Sequence, residues 1–129
     1  MFVWGIDGSL QYALGTPGSY GIPQTTTQLL VNVLDFGMDL QSAIEAPRCR
    51  VPEQIGGSAP EPKAGLLLSI ESRVPAPVRA QLEKRGHILQ LEDEWTAGVG
   101  GMQGVGVDPA TKTLSGGADP RRDGYVIGW

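Results

Sequence analysis

The sequence is poor in the side chains most used for metal binding and nucleophilic catalysis. It holds one cysteine, Cys49, and one histidine, His87. A lone cysteine cannot form a disulfide within the chain, and zinc sites built from several Cys and His ligands are excluded. A Ser-His-Asp triad would have to use His87, and no Gly-x-Ser-x-Gly turn exists to carry its nucleophile. Long apolar runs are missing too. Stretches such as Leu66-Leu67-Leu68 fall far short of the roughly 18 residues that cross a bilayer, so a soluble chain with no membrane partner is expected. Residues 1–5 have neither the basic nor the extended apolar region of a signal peptide, and nothing else in the sequence fixes a compartment. Positive charge is scarce: 10 Lys and Arg face 14 Asp and Glu, a net charge of −4. Without a basic face, no nucleic-acid partner is expected.

What the chain has in plenty is glycine and proline, 19 and 10 in 129 residues. They punctuate apolar segments rather than forming a low-complexity tract, which points to one domain rich in tight turns. Phe2-Val3-Trp4 and the run from Leu10 to Leu14 flank Asp7-Gly8, a hairpin signal. Residues 15–23 hold three glycines and two prolines, which predicts a structured loop. A helix is expected next, capped by Thr25 with Gln28 completing a capping box, lined by Leu29, Leu30, Val33 and Leu34, and stopped by Gly37. A short helix fits Asp39 to Ala46, with Asp39 as N-cap and Pro47 as the stop. Residues 48–51 alternate as a strand, and 52–64 read as a loop. A strand is expected over 66–70, a helix over 77–85 ended by Gly86, and a strand over 87–91. Residues 102–107 and 113–115 read as a second hairpin, followed by a polar, turn-rich stretch over 117–124. This element order predicts a mixed α/β (α+β) layer fold.

One segment suggests chemistry. A strand runs into a Gly-Pro-rich loop and then a helix start, where loop N–H groups and the helix dipole converge on negative charge. Such donors stabilise an oxyanion in acyl transfer. The same pattern also fits a plain glycine turn, and spacing alone does not separate the two readings. No Gly-Lys-Ser/Thr follows, so the loop is not a phosphate loop.

The motifs Gly15-Thr16-Pro17-Gly18-Ser19, Ile22-Pro23-Gln24-Thr25, the run from Leu30 to Gln41, and Ala46-Pro47-Arg48 together resemble the gamma-glutamyltranspeptidase family. The later runs Gly100-Gly101-Met102-Gln103-Gly104, Val107-Asp108-Pro109 and Gly117 to Gly124 resemble it too, in family order and over nearly the whole chain. The resemblance implies a four-layer αββα N-terminal-nucleophile hydrolase sandwich, of which residues 1–129 would form the later, C-terminal part of the small subunit, an incomplete domain. A precursor of this family cuts itself into a large and a small subunit, and the new N-terminal Thr acts as nucleophile with its own α-amine as base. That Thr, the groups gripping the substrate's amino group, and a serine pair holding its carboxylate lie upstream in the family. The implied partners are therefore the upstream part of the small subunit, the large subunit, and a small amide or gamma-glutamyl substrate. No metal or organic cofactor is implied.

The family motif Gly-Ser-Pro-Gly-Gly supplies two backbone N–H groups to the oxyanion hole, and its last two positions match Gly18 and Ser19. The serine departs from the family glycine, and its N–H survives that change. Gly-Ser-Tyr-Gly-Ile-Pro-Gln is more similar to the acylase and amidohydrolase branch than to the strict glutathione-cleaving enzymes. The chain alone is expected to be inactive, and to expose strand edges and an apolar face that favour self-association. The alternative is a non-catalytic, stand-alone structural or assembly module. Elsewhere the bland readings are favoured. Thr25, Thr26 and Thr27 serve the helix start; Asp119, Arg121, Arg122 and Asp123 form ion pairs and turn caps rather than a carboxylate site. Gly100-Gly101 is a structural turn, His87 begins a strand, Cys49 is partly buried, and Trp4, Trp95 and Trp129 pack.

Overall fold

Residues 1–52 and 67–128 are described by the computed structural model. Most of the loop expected over 52–64, with Leu66 and Trp129, lies outside them. The Asp7-Gly8 turn forms as its chemistry dictates. Gly8 takes φ 79°, and the Asp7 carboxylate accepts the Ser9 N–H and hydroxyl at 3.0 and 2.7 Å. Strand β1 (Phe2–Trp4) thereby pairs antiparallel with β2 (Leu10–Gly15).

Helix α1 spans Gly21–Leu34 and starts four residues before Thr25. The expected capping box is therefore absent: Thr25 is in the helix interior, and the N-cap position falls to Tyr20, whose side chain makes no cap bond. Proline in the first turn explains the shift. Pro23 needs no N–H there because first-turn donors have no intrahelical acceptor, and its fixed φ suits a helix. Gly37, at φ 65°, turns the chain after the helix. Helix α2 (Leu40–Glu45) begins as expected, with the Asp39 carboxylate accepting the Ser42 N–H at 3.0 Å. After it come β3 (Cys49–Arg50) and β4 (Leu67–Glu71). Helix α3 (Ala76–Lys84), stopped at Gly86 (φ 95°), leads to β5 (Ile88–Glu92). A 3-10 turn (Ala97–Val99) precedes β6 (Gln103–Val107) and β7 (Leu114–Ala118). Strand β7 runs three residues beyond the expected 113–115, because Gly116 and Gly117 continue the ladder against Val105 and Gly104.

The strands form two sheets, an antiparallel one ordered β1-β2-β6-β7 and a mixed one ordered β3-β4-β5, in which β4 and β5 run parallel. Helices α1 and α2 cover one face of the first sheet. Leu14, Leu29, Val33, Leu40, Ala43, Ile44 and Met102 are buried between them, each large side chain worth about 1.5–3 kcal/mol of burial. Close approach of α2 favours glycine beneath it: a Cβ on Gly117 would lie 2.5 Å from Ile44, and one on Gly104 would lie 3.4 Å from Leu40. The opposite face is covered in part: Val126 lies over Gly116, where a Cβ would come within 2.1 Å of it. Phe2 pairs with Ala13, Ala13 with Val105, and Val105 with Gly116, so they share that face. Phe2 is 66% exposed, Val105 41% and Leu114 67%.

Four buried charges join the two sheets. Glu71, at the end of β4, accepts Arg121 Nε and Nη2 at 2.6 and 2.7 Å and the Arg48 backbone N–H at 2.9 Å. Asp119, just after β7, is paired with Arg48 and Arg121 and accepts the Met102 N–H at 2.9 Å. The guanidinium of Arg121 also donates to the carbonyls of Ile44 and Ala46 at 3.0 and 2.9 Å, satisfying the C-terminal end of α2. Arg73 donates to Glu71 at 3.1 Å and stacks on Trp95, 3.5 Å from the ring centroid. Asp119 and Arg121 are thus structural ion-pair residues, as expected.

Burial alone would raise the Asp119 carboxyl, but the Arg48 charge, its hydrogen bond, and the N–H groups of Met102 and Arg121 outweigh burial and hold it below the ordinary aspartate value. A carboxyl lowered on folding contributes stability that is complete above the unfolded value of about 3.9 and is lost as pH falls through the folded one. Asp119→Asn should therefore lose about 3–5 kcal/mol at neutral pH, the usual cost of breaking a buried pair. In urea titrations the gap between wild type and variant should narrow below about pH 4. A variant midpoint equal to the wild type's at neutral pH would contradict this role.

Candidate functional site

The loop between β2 and α1 holds the two residues matched to the family's oxyanion motif. Gly18 has φ 134° and Ser19 has φ 49°. Ser19 therefore occupies the left-handed region, which costs a residue with a Cβ roughly 1–2 kcal/mol. Tyr20 follows in the right-handed region, at φ −58° and ψ −21°, and an αL–αR pair of this kind turns successive amides toward one side. The carbonyls of Gly18 and Ser19 accept the N–H groups of Gly21 and Ile22 at 2.7 and 3.0 Å, which locks the loop onto the first turn of α1. The N–H groups of Gly18, Ser19 and Tyr20 have no acceptor among the described residues and lie at exposed positions. No acidic residue occupies the first turn of α1, so the positive end of the helix dipole adds to them without a countercharge there. Beside them lies an open depression of about 330 Å³ lined by Ser19, Tyr20 and Pro23. The Tyr20 N–H is not legible in the sequence, because its availability depends on the helix starting at Gly21.

The loop is seated on the turn Val99-Gly100-Gly101. Thr16 Oγ1 accepts the Gly101 N–H at 3.0 Å and donates to the Pro17 carbonyl at 3.0 Å. Gly100, at φ 99°, leaves room for this: a Cβ there would lie 2.6 Å from Thr16 Oγ1 and 3.3 Å from Thr25 Oγ1. Thr25 is 2% exposed and donates to the Val99 carbonyl at 2.7 Å, which also accepts Arg48 Nη1 at 3.1 Å. Arg122 donates to the Ala97 and Gly100 carbonyls at 3.0 and 3.4 Å. Gly100-Gly101 is thus a structural turn, as expected, with a defined steric reason.

The other residues considered lie elsewhere or do ordinary work. Thr26 and Thr27 donate back to the carbonyls of Ile22 and Pro23 at 2.7 and 2.8 Å, a local helix interaction rather than a cap. Arg122 bonds to carbonyls rather than forming an ion pair, and Asp123 is exposed with no partner among the described residues. His87 precedes β5, with Nδ1 buried and unpartnered among the described residues. Cys49 is half-buried and burial pushes its thiol up, so it is a poor thiolate nucleophile. Trp95 packs against Arg73, but Trp4 is 61% exposed and contributes little packing. Among the described residues no cluster of His, Cys, Asp and Glu has the makings of a metal site, and no helix is long and apolar enough to cross a membrane.

The family model described as gamma-glutamyltranspeptidase matches residues 1–129, and the chain belongs to that family. It is 33% identical over 121 residues to the glutathione hydrolase-like YwrD proenzyme of Bacillus subtilis (strain 168), covering 94% of this chain and 22% of that protein. It is similar in structure to a gamma-glutamyltranspeptidase from Pseudomonas nitroreducens complexed with L-DON, with a TM-score of 0.75 and 27% identity, over 100% of this chain and 60% of that one. It is also similar to the cephalosporin acylase from Bacillus halodurans, with a TM-score of 0.76 and 30% identity, over 90% of this chain and 19% of that one. The mixed α/β layers are therefore part of an N-terminal-nucleophile hydrolase sandwich, and the chain spans only about a fifth of the curated relative's length.

The Ser19 conformation yields a direct check. Glycine removes the left-handed penalty but adds about 0.4–1 kcal/mol of unfolded-chain entropy. The first effect is the larger, so Ser19→Gly should stabilise the chain by up to about 1 kcal/mol, read from urea midpoints. Gly100→Ala should destabilise it through both φ and the contact with Thr16.

Proposed function

We propose that the chain is the C-terminal portion of the small subunit of a gamma-glutamyltranspeptidase-like amidohydrolase or acyltransferase, and that the Gly18 and Ser19 N–H groups form its oxyanion hole. The observation that carries this reading is the set of amides at exposed positions before α1 that have no acceptor among the described residues, in a chain of this family. The nucleophile is an N-terminal Thr outside this chain. Its hydroxyl attacks the amide carbonyl carbon while its own α-amine takes the proton. The C=O bond opens to an oxyanion, which the Gly18 and Ser19 N–H groups hold as the tetrahedral intermediate forms. Collapse breaks the C–N bond, and the protonated amine leaves. Water or a second amine then attacks the acyl ester, completing hydrolysis or transfer. Among the described residues the loop presents backbone donors for the oxygen, and the family's groups for the substrate's amino group and carboxylate lie upstream of this stretch. A small gamma-glutamyl or related acyl amide fits that division.

The partners are the upstream part of the small subunit and the large subunit. The exposed row Phe2, Val105 and Leu114, on the sheet face opposite the helices, supports this over a stand-alone structural module, since an exposed apolar sheet face marks a contact surface.

The test assembles the chain with a segment supplying the N-terminal Thr and assays gamma-glutamyl and longer acyl anilides. Turnover is expected from the assembly and none from the chain alone. Replacing the Ser19 amide by a backbone ester deletes the N–H and keeps the side chain; kcat should fall roughly 10²–10³-fold, the usual loss of one oxyanion donor. An unchanged kcat removes the oxyanion assignment. Turnover by the isolated chain, or a well-formed assembly that cleaves no amide, overturns the reading, and the second outcome favours the structural module.

A further inference from the structure

We propose that Thr16 is a positioning residue whose hydroxyl fixes the plane of the Pro17–Gly18 peptide and so aims the Gly18 N–H. This rests on the oxyanion-hole reading of Gly18. All peptide bonds among the described residues are trans, and in a trans unit the C=O and N–H point in opposite directions. Whatever holds the Pro17 carbonyl therefore sets where the Gly18 N–H points. A Pro-Gly pair does not hold it unaided. Turn types I and II differ in the orientation of their central peptide, proline suits both, and glycine tolerates the positive φ that the second requires. Gly18 sits at φ 134°, a conformation that needs outside support to be the only one occupied.

Thr16 supplies that support from a fixed base. A hydroxyl has one hydrogen to give, and Thr16 gives it to the Pro17 carbonyl at 3.0 Å. The same oxygen accepts the Gly101 N–H at 3.0 Å, and Gly101 is buried. The turn carrying Gly101 is held in turn by Thr25 and Arg48 on the Val99 carbonyl and by Arg122 on the Gly100 carbonyl. Gly100 has no side chain, which is why the hydroxyl fits within 2.6 Å of where its Cβ would lie. A purely structural threonine would need only the bond from Gly101. The second bond, onto the peptide that presents the catalytic donor, is what assigns the positioning role.

The test compares Thr16→Val, which keeps the branched shape and loses the hydroxyl, with Thr16→Ser, which keeps the hydroxyl. In the chain itself, ¹⁵N relaxation of the Gly18 amide should show a lower order parameter or microsecond-to-millisecond exchange in Thr16→Val, and wild-type behaviour in Thr16→Ser. In the active assembly, Thr16→Val should lower kcat by roughly 10–100-fold, the scale of a misplaced catalytic group, with KM nearly unchanged. Thr16→Ser should recover most of that loss. A Gly18 amide as rigid in Thr16→Val as in wild type overturns the inference, as does an unchanged kcat or an equal loss in both variants. If Thr16→Val fails to fold, a backbone ester at Gly101, which frees the hydroxyl from its base, takes its place with the same expected signature. Should the wild-type assembly cleave nothing, the functional reading fails by itself, and the relaxation measurement still decides whether Thr16 holds the Gly18 peptide.

Discussion

The arrangement of this chain depends on burying two carboxylates and two guanidinium groups together. Glu71 and Asp119 are fully buried, and Arg48 and Arg121 are 3% and 6% exposed. Left unpaired, any one of them would carry a desolvation penalty of several kcal/mol. Their mutual pairing is therefore a condition on the fold rather than a bonus added to it. The four groups come from three stretches: Arg48 before β3, Glu71 at the end of β4, and Asp119 with Arg121 after β7. Satisfying all four fixes where the two sheets meet and where α2 ends. The hydrophobic cluster under α1 and α2 supplies bulk stability, but apolar packing tolerates volume-conserving exchange. The charges do not, because a guanidinium fork has a directional hydrogen-bond pattern.

That constraint reaches the loop in two steps. Arg48 bonds to Asp119 and also, through Nη1, to the Val99 carbonyl. Val99 lies beside Gly100 and Gly101, the turn on which the Gly18 loop is seated. Thr25 reaches the same carbonyl from inside α1, so the helix, the turn and the loop share one anchor. A site built of backbone amides has no rotamers to adjust. Its geometry is only as good as the backbone beneath it, and here that backbone is tied through Val99 and Arg48 to the buried ion-pair network.

Much of the fold was legible locally. Asp7-Gly8, the Asp39 cap, Gly86 and Pro47 each act within a few residues of themselves, so their effect follows from the sequence neighbourhood. The start of α1 is not legible because residues 15–23, with three glycines and two prolines, read as a loop, whose amides would need partners. At a helix start they do not, and Pro23 gives up nothing. The length of β7 is hidden for the opposite reason: Gly116 and Gly117 have little strand propensity of their own and are held by Val105 and Gly104 across the ladder, with α2 over Gly117. In the loop, the Gly18 and Ser19 positions came from an ordered set of motifs. Thr16 is in the same motif, but its role is not legible there, because it exists only through Gly101, 85 residues away. The buried network is half visible: Asp119 and Arg121 fall in the polar group with Arg122 and Asp123 that reads as ion pairs and turn caps, while nothing local marks Glu71, one residue past the strand expected over 66–70.

Ser19 makes the division of labour in the loop explicit. A residue with a Cβ in the left-handed region persists only where its surroundings over-determine it. Its own carbonyl and that of Gly18 are both engaged by the first turn of α1, and the peptide before Gly18 is engaged by Thr16. Carbonyls on that stretch are thus committed to the protein, while the N–H groups of Gly18, Ser19 and Tyr20 are committed to none of its described atoms. Such one-sided satisfaction is unfavourable for a buried turn and costless only where water or a ligand oxygen can reach. Under the proposed oxyanion-hole reading, an oxygen that acquires charge during reaction is the acceptor that gains most from the preset Gly18 and Ser19 donors beside a helix start, and the strain at Ser19 would be the conformational cost of holding them in place.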